Sequence, residues 1–244
     1  EKGWCKDPRQ FSFSRCYSEP VYTLFSDARR RQSCTARLLL GQKGGITPAA
    51  MMSILRNHAD GGNPAWAPHS GITGADVCMH AGWGPIRGSQ SAGSMVSQID
   101  PKGAVHWLTG TAAPCTSLFK PVWLDCGIPL DLPAPTGTFD DTTLYWKHES
   151  VHRALLRDYA AGITLISKDQ QDFETEMLAA VSQNLSASSK RRAEISKEFF
   201  NKALSLESHW ADRVRSIPMK GRGGLFYRSA WKRFNDEAAI DWHS

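Results

Sequence analysis

The stretch from Ser89 to Leu108 constrains this chain more than any other, because it reads as two extended runs around a tight turn. From Ser89 to Ile99, small residues (Ser91, Ala92, Gly93, Ser94) give way to Met95, Val96 and Ile99. Asp100-Pro101-Lys102-Gly103 supplies turn chemistry, since proline pre-sets φ and glycine accepts a positive φ. The second run, Ala104 to Leu108, is apolar on both alternating faces apart from His106. The pattern predicts adjacent antiparallel strands, Ser89–Ile99 and Ala104–Leu108, each buried on both faces as in the middle of a layered fold. Small residues on the first strand leave room for another backbone or a substrate to approach closely.

Helices are expected on both sides of this hairpin. Residues 1 to 45 carry Trp4, Phe11, Phe13, Tyr17, Tyr22 and Phe25, an aromatic and irregular segment predicted to pack as a loop over a core. It leads into a helix from Asp27, as the cap, to Leu40, with Gly41 ending it. Thr47-Pro48 starts a second helix, with threonine at the N-cap and proline at the first helical position, and Gly61-Gly62 sets its latest end. Asn63 to Gly74 is turn-rich and suits a loop near a site. After the hairpin, Pro129, Pro133 and Pro135 mark a surface connector. Thr142 or Thr143 caps a predicted helix from Leu144 to about Ser167, continued over Gln170–Gln183. Ser186 to Ser189 is a break, and Ala193–Val214 forms the next helix. The last 25 residues hold Phe226, Tyr227, Trp231, Phe234 and Trp242 and are expected to dock rather than trail free. The organisation is therefore a sheet-containing part over 1–125, a connector over 126–143 and a helical region over 144–244.

Composition narrows the functional classes. With 244 residues, 41% hydrophobic and 22% charged, the chain has the make-up of a globular domain. It has no run of 18 or more apolar residues, so no membrane partner is expected. The net charge of +5 gathers at Arg29-Arg30-Arg31, Lys190-Arg191-Arg192 and toward the C-terminus. Acidic residues are interleaved and no recognition motif is present, so solvated helix faces explain the excess and no nucleic-acid partner is expected. The six cysteines lack CxxC spacing, which fits reduced thiols better than a disulfide framework.

Few motifs carry chemistry. His148-Glu149-Ser150-Val151-His152 matches H-E-x-x-H, in which two histidines one helical turn apart hold zinc and the glutamate activates water. A third ligand at a familiar spacing is absent; His209, Glu174 and Glu176 are the candidates. Cys78 and His80 share a side of an extended chain and His69 lies nearby, yet three donors make a short ligand set. A core cysteine and a hydrogen-bonded histidine are the expectation there. Ser91, Ser94 and Ser97 lack the G-x-S-x-G elbow of serine hydrolases.

In ordered patches over about residues 3 to 180, the chain resembles the secernins and the related dipeptidases of the N-terminal-nucleophile (Ntn) hydrolases. The patches are Gly3-Trp4 with Phe11-Ser12-Phe13, Thr47-Pro48-Ala49-Ala50-Met51-Met52 with Leu55-Arg56, and Val77-Cys78-Met79-His80. They continue through Ser91-Ala92-Gly93-Ser94, Trp107-Leu108-Thr109-Gly110-Thr111 with Pro114, and Ser117-Leu118-Phe119-Lys120-Pro121, to Leu144-Tyr145-Trp146-Lys147-His148-Glu149.

The resemblance implies an α+β fold, part of an αββα sandwich of two antiparallel sheets between helical layers, with the C-terminal helices forming one layer. It implies a cysteine-dependent amidohydrolase acting on a peptide or small amide, without cofactor. In that family the nucleophilic cysteine is the first residue of the mature enzyme. This chain begins with Glu1 and resembles the family's C-terminal half, so the nucleophile is expected upstream and the N-terminal half is the expected partner. Arg87 is the candidate for gripping a substrate carboxylate, because guanidinium binds carboxylates in a bidentate way. The expected compartment is the cytoplasm. Two alternatives stay open: a zinc metallopeptidase built on His148 and His152, and a secernin-like protein that acts through protein contacts without catalysis.

Overall fold

The hairpin forms where its turn chemistry places it. The structure, a computed structural model, describes residues 7, 9, 11–19, 26–58, 66–70, 76–83, 86–101, 103–127, 129–218 and 223–240. Strand β1 (Met95–Asp100) pairs antiparallel with β2 (Gly103–Leu108), with Asp100 opposite Gly103. Gly103 has φ 144°, a conformation that side chains rarely adopt. A third strand, β3 (Lys120–Val122), pairs antiparallel with β2, giving the order β1-β2-β3.

Two expectations about the hairpin are corrected. The first strand begins at Met95 rather than Ser89, because the small residues before it have no apolar face to pack. Ser91 instead pairs with Met79, donating N–H to its carbonyl at 2.9 Å and accepting the Met79 N–H on Oγ at 3.1 Å. The strands are also not buried on both faces. Val96, Val105 and Trp107 point into the core, whereas Met95 is 59% and Ile99 78% exposed. The register puts Met95 opposite Leu108 and Ile99 opposite Ala104, with the hydrogen-bonded Ser97–His106 pair between them. One face of the sheet is therefore buried, and the other holds exposed Met95 and Ile99 beside partly buried Ala104 and Leu108.

The helices are α1 (Phe13–Tyr17), α2 (Ala28–Gly41), α3 (Pro48–Leu55), α4 (Leu144–Leu155), α5 (Tyr159–Gln183), α6 (Ser189–Val214) and α7 (Leu225–Glu237). Thr47 caps α3 as expected, accepting the Ala50 N–H at 3.2 Å. Thr143 does the same for α4, accepting from Trp146 N at 3.3 Å. Asp27 occupies the N-cap position of α2 in a left-handed conformation, φ 52°, and its side chain makes no cap bond. Helix α3 stops at Leu55, earlier than the glycines suggested. The helix expected from Leu144 to Ser167 is two helices, because Asp158 caps a new start by accepting the Ala161 N–H at 3.4 Å. Helix α6 begins at Ser189 rather than Ala193, since Ser188 accepts the Arg191 N–H.

Helices α4, α5 and α6 pack together, and α5 and α6 reach β3. One core joins Val96, Val105 and Trp107 of the sheet to Met52 of α3, Phe173 of α5 and Phe199 of α6. Burying each valine contributes about 1.5–3 kcal/mol. The core draws on residues from both sides of the 126–143 connector, which is itself tied down: Trp146 Nε1 donates to the Thr136 carbonyl at 3.0 Å, and Phe139 N to that of Ala238 at 2.7 Å. The C-terminal aromatics dock as expected, Tyr227 and Trp231 of α7 packing with Ala81 and Leu156. Trp4, Tyr22, Phe25, Asn63 and Trp242 lie outside the described residues. The fold is mixed α+β. Among the described residues, no helix is long and apolar enough to cross a membrane.

Candidate functional site

Arg56, at the C-cap of α3, anchors the chain segment that carries the site. Its Nε donates to the Pro114 carbonyl at 2.7 Å and its Nη2 to that of Ser117 at 3.0 Å. The same guanidinium grips the Glu174 carboxylate of α5, with Nη1 to Oε2 at 2.6 Å. The Gln170 amide of α5 adds bonds to the Cys115 carbonyl at 3.2 Å and the Ser117 carbonyl at 2.8 Å. This network fixes the turn holding Cys115 against the residues that follow α3.

Four donor side chains meet there. His58 follows α3, Cys78 and His80 lie two residues apart on one irregular segment, and Cys115 sits in the turn after β2. Their ligating atoms all lie within 4.8 Å of one another. His80 Nε2 is 3.1 Å from His58 Nε2, 3.4 Å from Cys115 Sγ and 3.7 Å from Cys78 Sγ. Cys78 is held by its N–H donating to the Asn57 carbonyl at 3.1 Å. The Trp66 indole stacks on His58 with centroids 3.8 Å apart and donates to Asp76 at 2.7 Å. Tyr159 stands edge-on to both His58 and His80.

Electrostatics splits the two thiols. Burial opposes charge on Cys115, but the hydrogen bond from Cys78 and the neighbouring His80 and His58 outweigh it and hold its thiol well below the ordinary range. Burial, together with the adjacent Cys115, pushes Cys78 well up. A thiolate beside an imidazole is also the pair that cysteine nucleophiles use. Here the thiols have no opening to a substrate, since Cys115 is 5% and Cys78 0% exposed. The arrangement suits ion binding better than attack on a carbonyl.

The H-E-x-x-H histidines sit in a separate polar network. His148 Nδ1 faces the Glu207 carboxylate at 2.8 Å, and its Nε2 meets Ser117 Oγ at 3.1 Å and Thr116 Oγ1 at 3.3 Å. His152 Nδ1 meets the same Thr116 hydroxyl at 3.0 Å. Glu149 pairs with Arg153 at 2.8 Å and accepts from Gln90 at 3.1 Å, so it faces away from both rings' shared partner. Burial, aided by His80, lowers the His152 pKa well below the usual histidine value and leaves the ring neutral at pH 7. A hydroxyl, not a shared vacancy, lies between the two imidazoles.

Ser117, His148 and Glu207 have the hydrogen-bond order of a serine–histidine–carboxylate triad, which no spacing among these residues marks. Position decides against that chemistry. Ser117 and His148 are both fully buried, and Ser117 Oγ also donates to the Ala112 carbonyl at 3.1 Å. The trio therefore satisfies polar groups inside the core.

Arg87 is buried, with Nη2 donating to the Pro68 carbonyl at 2.7 Å and Nη1 to that of Ser70 at 3.3 Å. Those bonds tie the 66–70 segment to the body of the protein, and they occupy the fork a substrate carboxylate would use. His69, considered with Cys78 and His80, lies against Tyr227 instead. A cleft of about 240 Å³ is lined by Gln90, Tyr145, Glu149, Arg153 and Trp231. It is smaller than the roughly 300–1,000 Å³ usual for small-molecule pockets.

Sequence reasoning paired Cys78 with His80 and missed His58 and Cys115. The i, i+2 spacing signals one pair on an extended chain, but nothing in the sequence marks partners brought in by a helix end and a distant turn. No protein-family model matches this chain, and no solved structure matches it.

Proposed function

We propose that this chain is the C-terminal portion of a cysteine-dependent amidohydrolase of the Ntn type, acting on a dipeptide or another small amide. The reading rests on the ordered resemblance, and the observation that carries it is the layer order. Helices α5 and α6 pack on β3 and share a core with the inward face of the sheet, while on the other face Met95 and Ile99 are exposed. A second sheet on that face would complete an αββα sandwich, with the nucleophile on the segment that brings it. The patches of resemblance also meet in space: Arg56 reaches Pro114, Ser117 reaches His148, and Lys120 donates to Thr109 at 2.6 Å.

In this reading the first cysteine of the upstream half attacks the amide carbonyl. Its own α-amino group takes the thiol proton, which is feasible near neutrality because that amine has a pKa of about 7.7–8.0. The amine then protonates the leaving group, and water releases the acyl-enzyme. This chain supplies sheet, helical layer and pocket walls rather than the nucleophile.

The test is dipeptide hydrolysis by this chain alone and by the chain joined to the upstream half of its coding sequence, processed to begin with cysteine. The joined protein should turn over dipeptides in the presence of chelator and lose that activity when the first cysteine becomes alanine. The chain alone should be inactive and poorly soluble. Chelator-resistant turnover by the chain alone, independent of Cys5, its cysteine nearest the N-terminus, overturns the proposal.

A further inference from the structure

We propose that His58, Cys78, His80 and Cys115 form a closed Cys₂His₂ site for a divalent thiophilic cation, Zn²⁺, that holds the end of α3, the 78–80 segment and the 115 turn together. The proposal is independent of the amidohydrolase reading and rests on geometry.

Hydrogen bonding alone does not account for the cluster. His80 Nε2 has three polar neighbours, the His58 nitrogen at 3.1 Å, Cys115 Sγ at 3.4 Å and Cys78 Sγ at 3.7 Å. An imidazole Nε2 carries one proton or one lone pair, so it satisfies one such contact. Two Nε2 atoms facing each other at 3.1 Å, with two sulfurs beside them, is the arrangement of ligands around a common centre.

The edge lengths agree with a tetrahedron. Zn–S bonds of about 2.3 Å and Zn–N bonds of about 2.0–2.1 Å imply N···N edges of about 3.3 Å, N···S edges of about 3.6 Å and an S···S edge of about 3.8 Å. The corresponding N···N and N···S separations are 3.1, 3.4 and 3.7 Å, and the two sulfurs lie within 4.8 Å.

Two thiolates and two imidazoles are a soft and borderline donor set that selects zinc over magnesium or calcium. All four positions are filled by protein, the pattern of structural rather than catalytic zinc. The supports of the ligands are rigid: the Asn57 carbonyl holds the Cys78 N–H, Gln170 holds the Cys115 carbonyl, and Trp66 stacks on His58. Removing the cation would leave the ends of three separate segments held by these supports alone.

The experiment is metal analysis and X-ray absorption on the protein purified without added metal, followed by Co²⁺ titration of the chelator-treated protein. About one zinc per chain is expected, with two sulfur and two nitrogen neighbours at the distances of a tetrahedral site. Cobalt should give the intense ligand-field bands of tetrahedral geometry together with thiolate-to-metal charge transfer. Cys115→Ser and His58→Ala should each lose the bound zinc. If either variant fails to fold, the wild-type cobalt spectrum decides. No metal uptake by folded protein with free thiols, a Cys78–Cys115 disulfide in the purified protein, or a cobalt spectrum without thiolate bands would each overturn the proposal.

Discussion

Arg56 and Glu174 meet fork to fork across 118 residues of sequence, joining the end of α3 to the middle of α5. The pair is mostly buried, with side-chain exposures of 18% and 11%, and Arg56 also donates to the Pro114 and Ser117 carbonyls. Replacing Arg56 with methionine leaves the Glu174 carboxylate without its cation, held only by the Phe119 N–H at 3.3 Å, and takes the donor from the Pro114 carbonyl, whereas the Ser117 carbonyl keeps Gln170. Breaking one side of such a pair costs about 3–5 kcal/mol. Arg56→Lys should recover only a small part, because an ammonium lacks the planar fork that serves all these acceptors at once. Urea unfolding of the three proteins measures it; a loss under about 1 kcal/mol for Arg56→Met would mean that solvent satisfies Glu174.

Lys120 links stability to pH. Its Nζ is buried and donates to the Thr109 and Leu118 carbonyls at 2.6 and 2.7 Å. Burial pushes its pKa down to about 8, against the opposing pull of Glu207 and Glu174. Between about pH 8 and 10.5 the unfolded chain holds this proton and the folded one does not, so the contribution of Lys120 to stability rises with pH across that window. Below it the full penalty of the buried ammonium is present; above it the penalty is gone. The size is on the order of 3 kcal/mol. Other groups titrate in the same range, so the comparison is with Lys120→Met. The wild type should gain on that variant as pH rises, and a constant difference would show that Lys120 keeps its ordinary pKa.

Local elements were legible because their signals are local. Asp100-Pro101 and Gly103 specified the hairpin turn, and Thr47-Pro48 and Thr143 specified two helix starts through one side-chain bond each. What failed needed the third dimension. The one-sided burial of β1 depends on which layer covers the sheet, and alternating apolar residues look the same whether one or both faces are covered. The break between α4 and α5 was marked by Asp158, but a continuous apolar pattern across it concealed the cap. At the site, the Cys78–His80 pair was visible as a spacing, whereas His58 and Cys115 arrive through the Arg56 and Gln170 anchors. The Ser117–His148–Glu207 trio spans three segments with no shared motif.

That trio separates a structural network from a catalytic one. Ser117→Ala removes a hydroxyl that bonds His148, Thr111 and the Ala112 carbonyl inside the core. The expected result is a stability loss of about 1–2 kcal/mol, since buried partners are left unsatisfied. Hydrolysis by the joined protein should stay within about tenfold of the unsubstituted enzyme, below the loss that follows removal of a nucleophile. Activity abolished in a variant with an unchanged unfolding midpoint would instead assign Ser117 the chemistry.

Ile99 tests what covers the open face of the sheet. It is 78% exposed and stands opposite Ala104, four residues along the same face from the Met95–Leu108 pair. If this face is solvated in the working protein, Ile99→Lys changes stability by no more than about 0.5 kcal/mol, as surface substitutions do. If a second sheet lies on it, the lysine must place an ammonium in an apolar layer, or force the two sheets apart. The two situations give opposite results in the two forms of the protein. In the chain alone, Ile99→Lys should leave the unfolding midpoint nearly unchanged and reduce self-association, because a charge on an edge strand discourages strand-to-strand pairing. In the chain joined to its upstream half, it should destabilise by several kcal/mol and lower dipeptide turnover along with the folded fraction. Light scattering and denaturant unfolding on both forms read the outcome, and a neutral effect in the joined protein would show that no second sheet packs against Ile99.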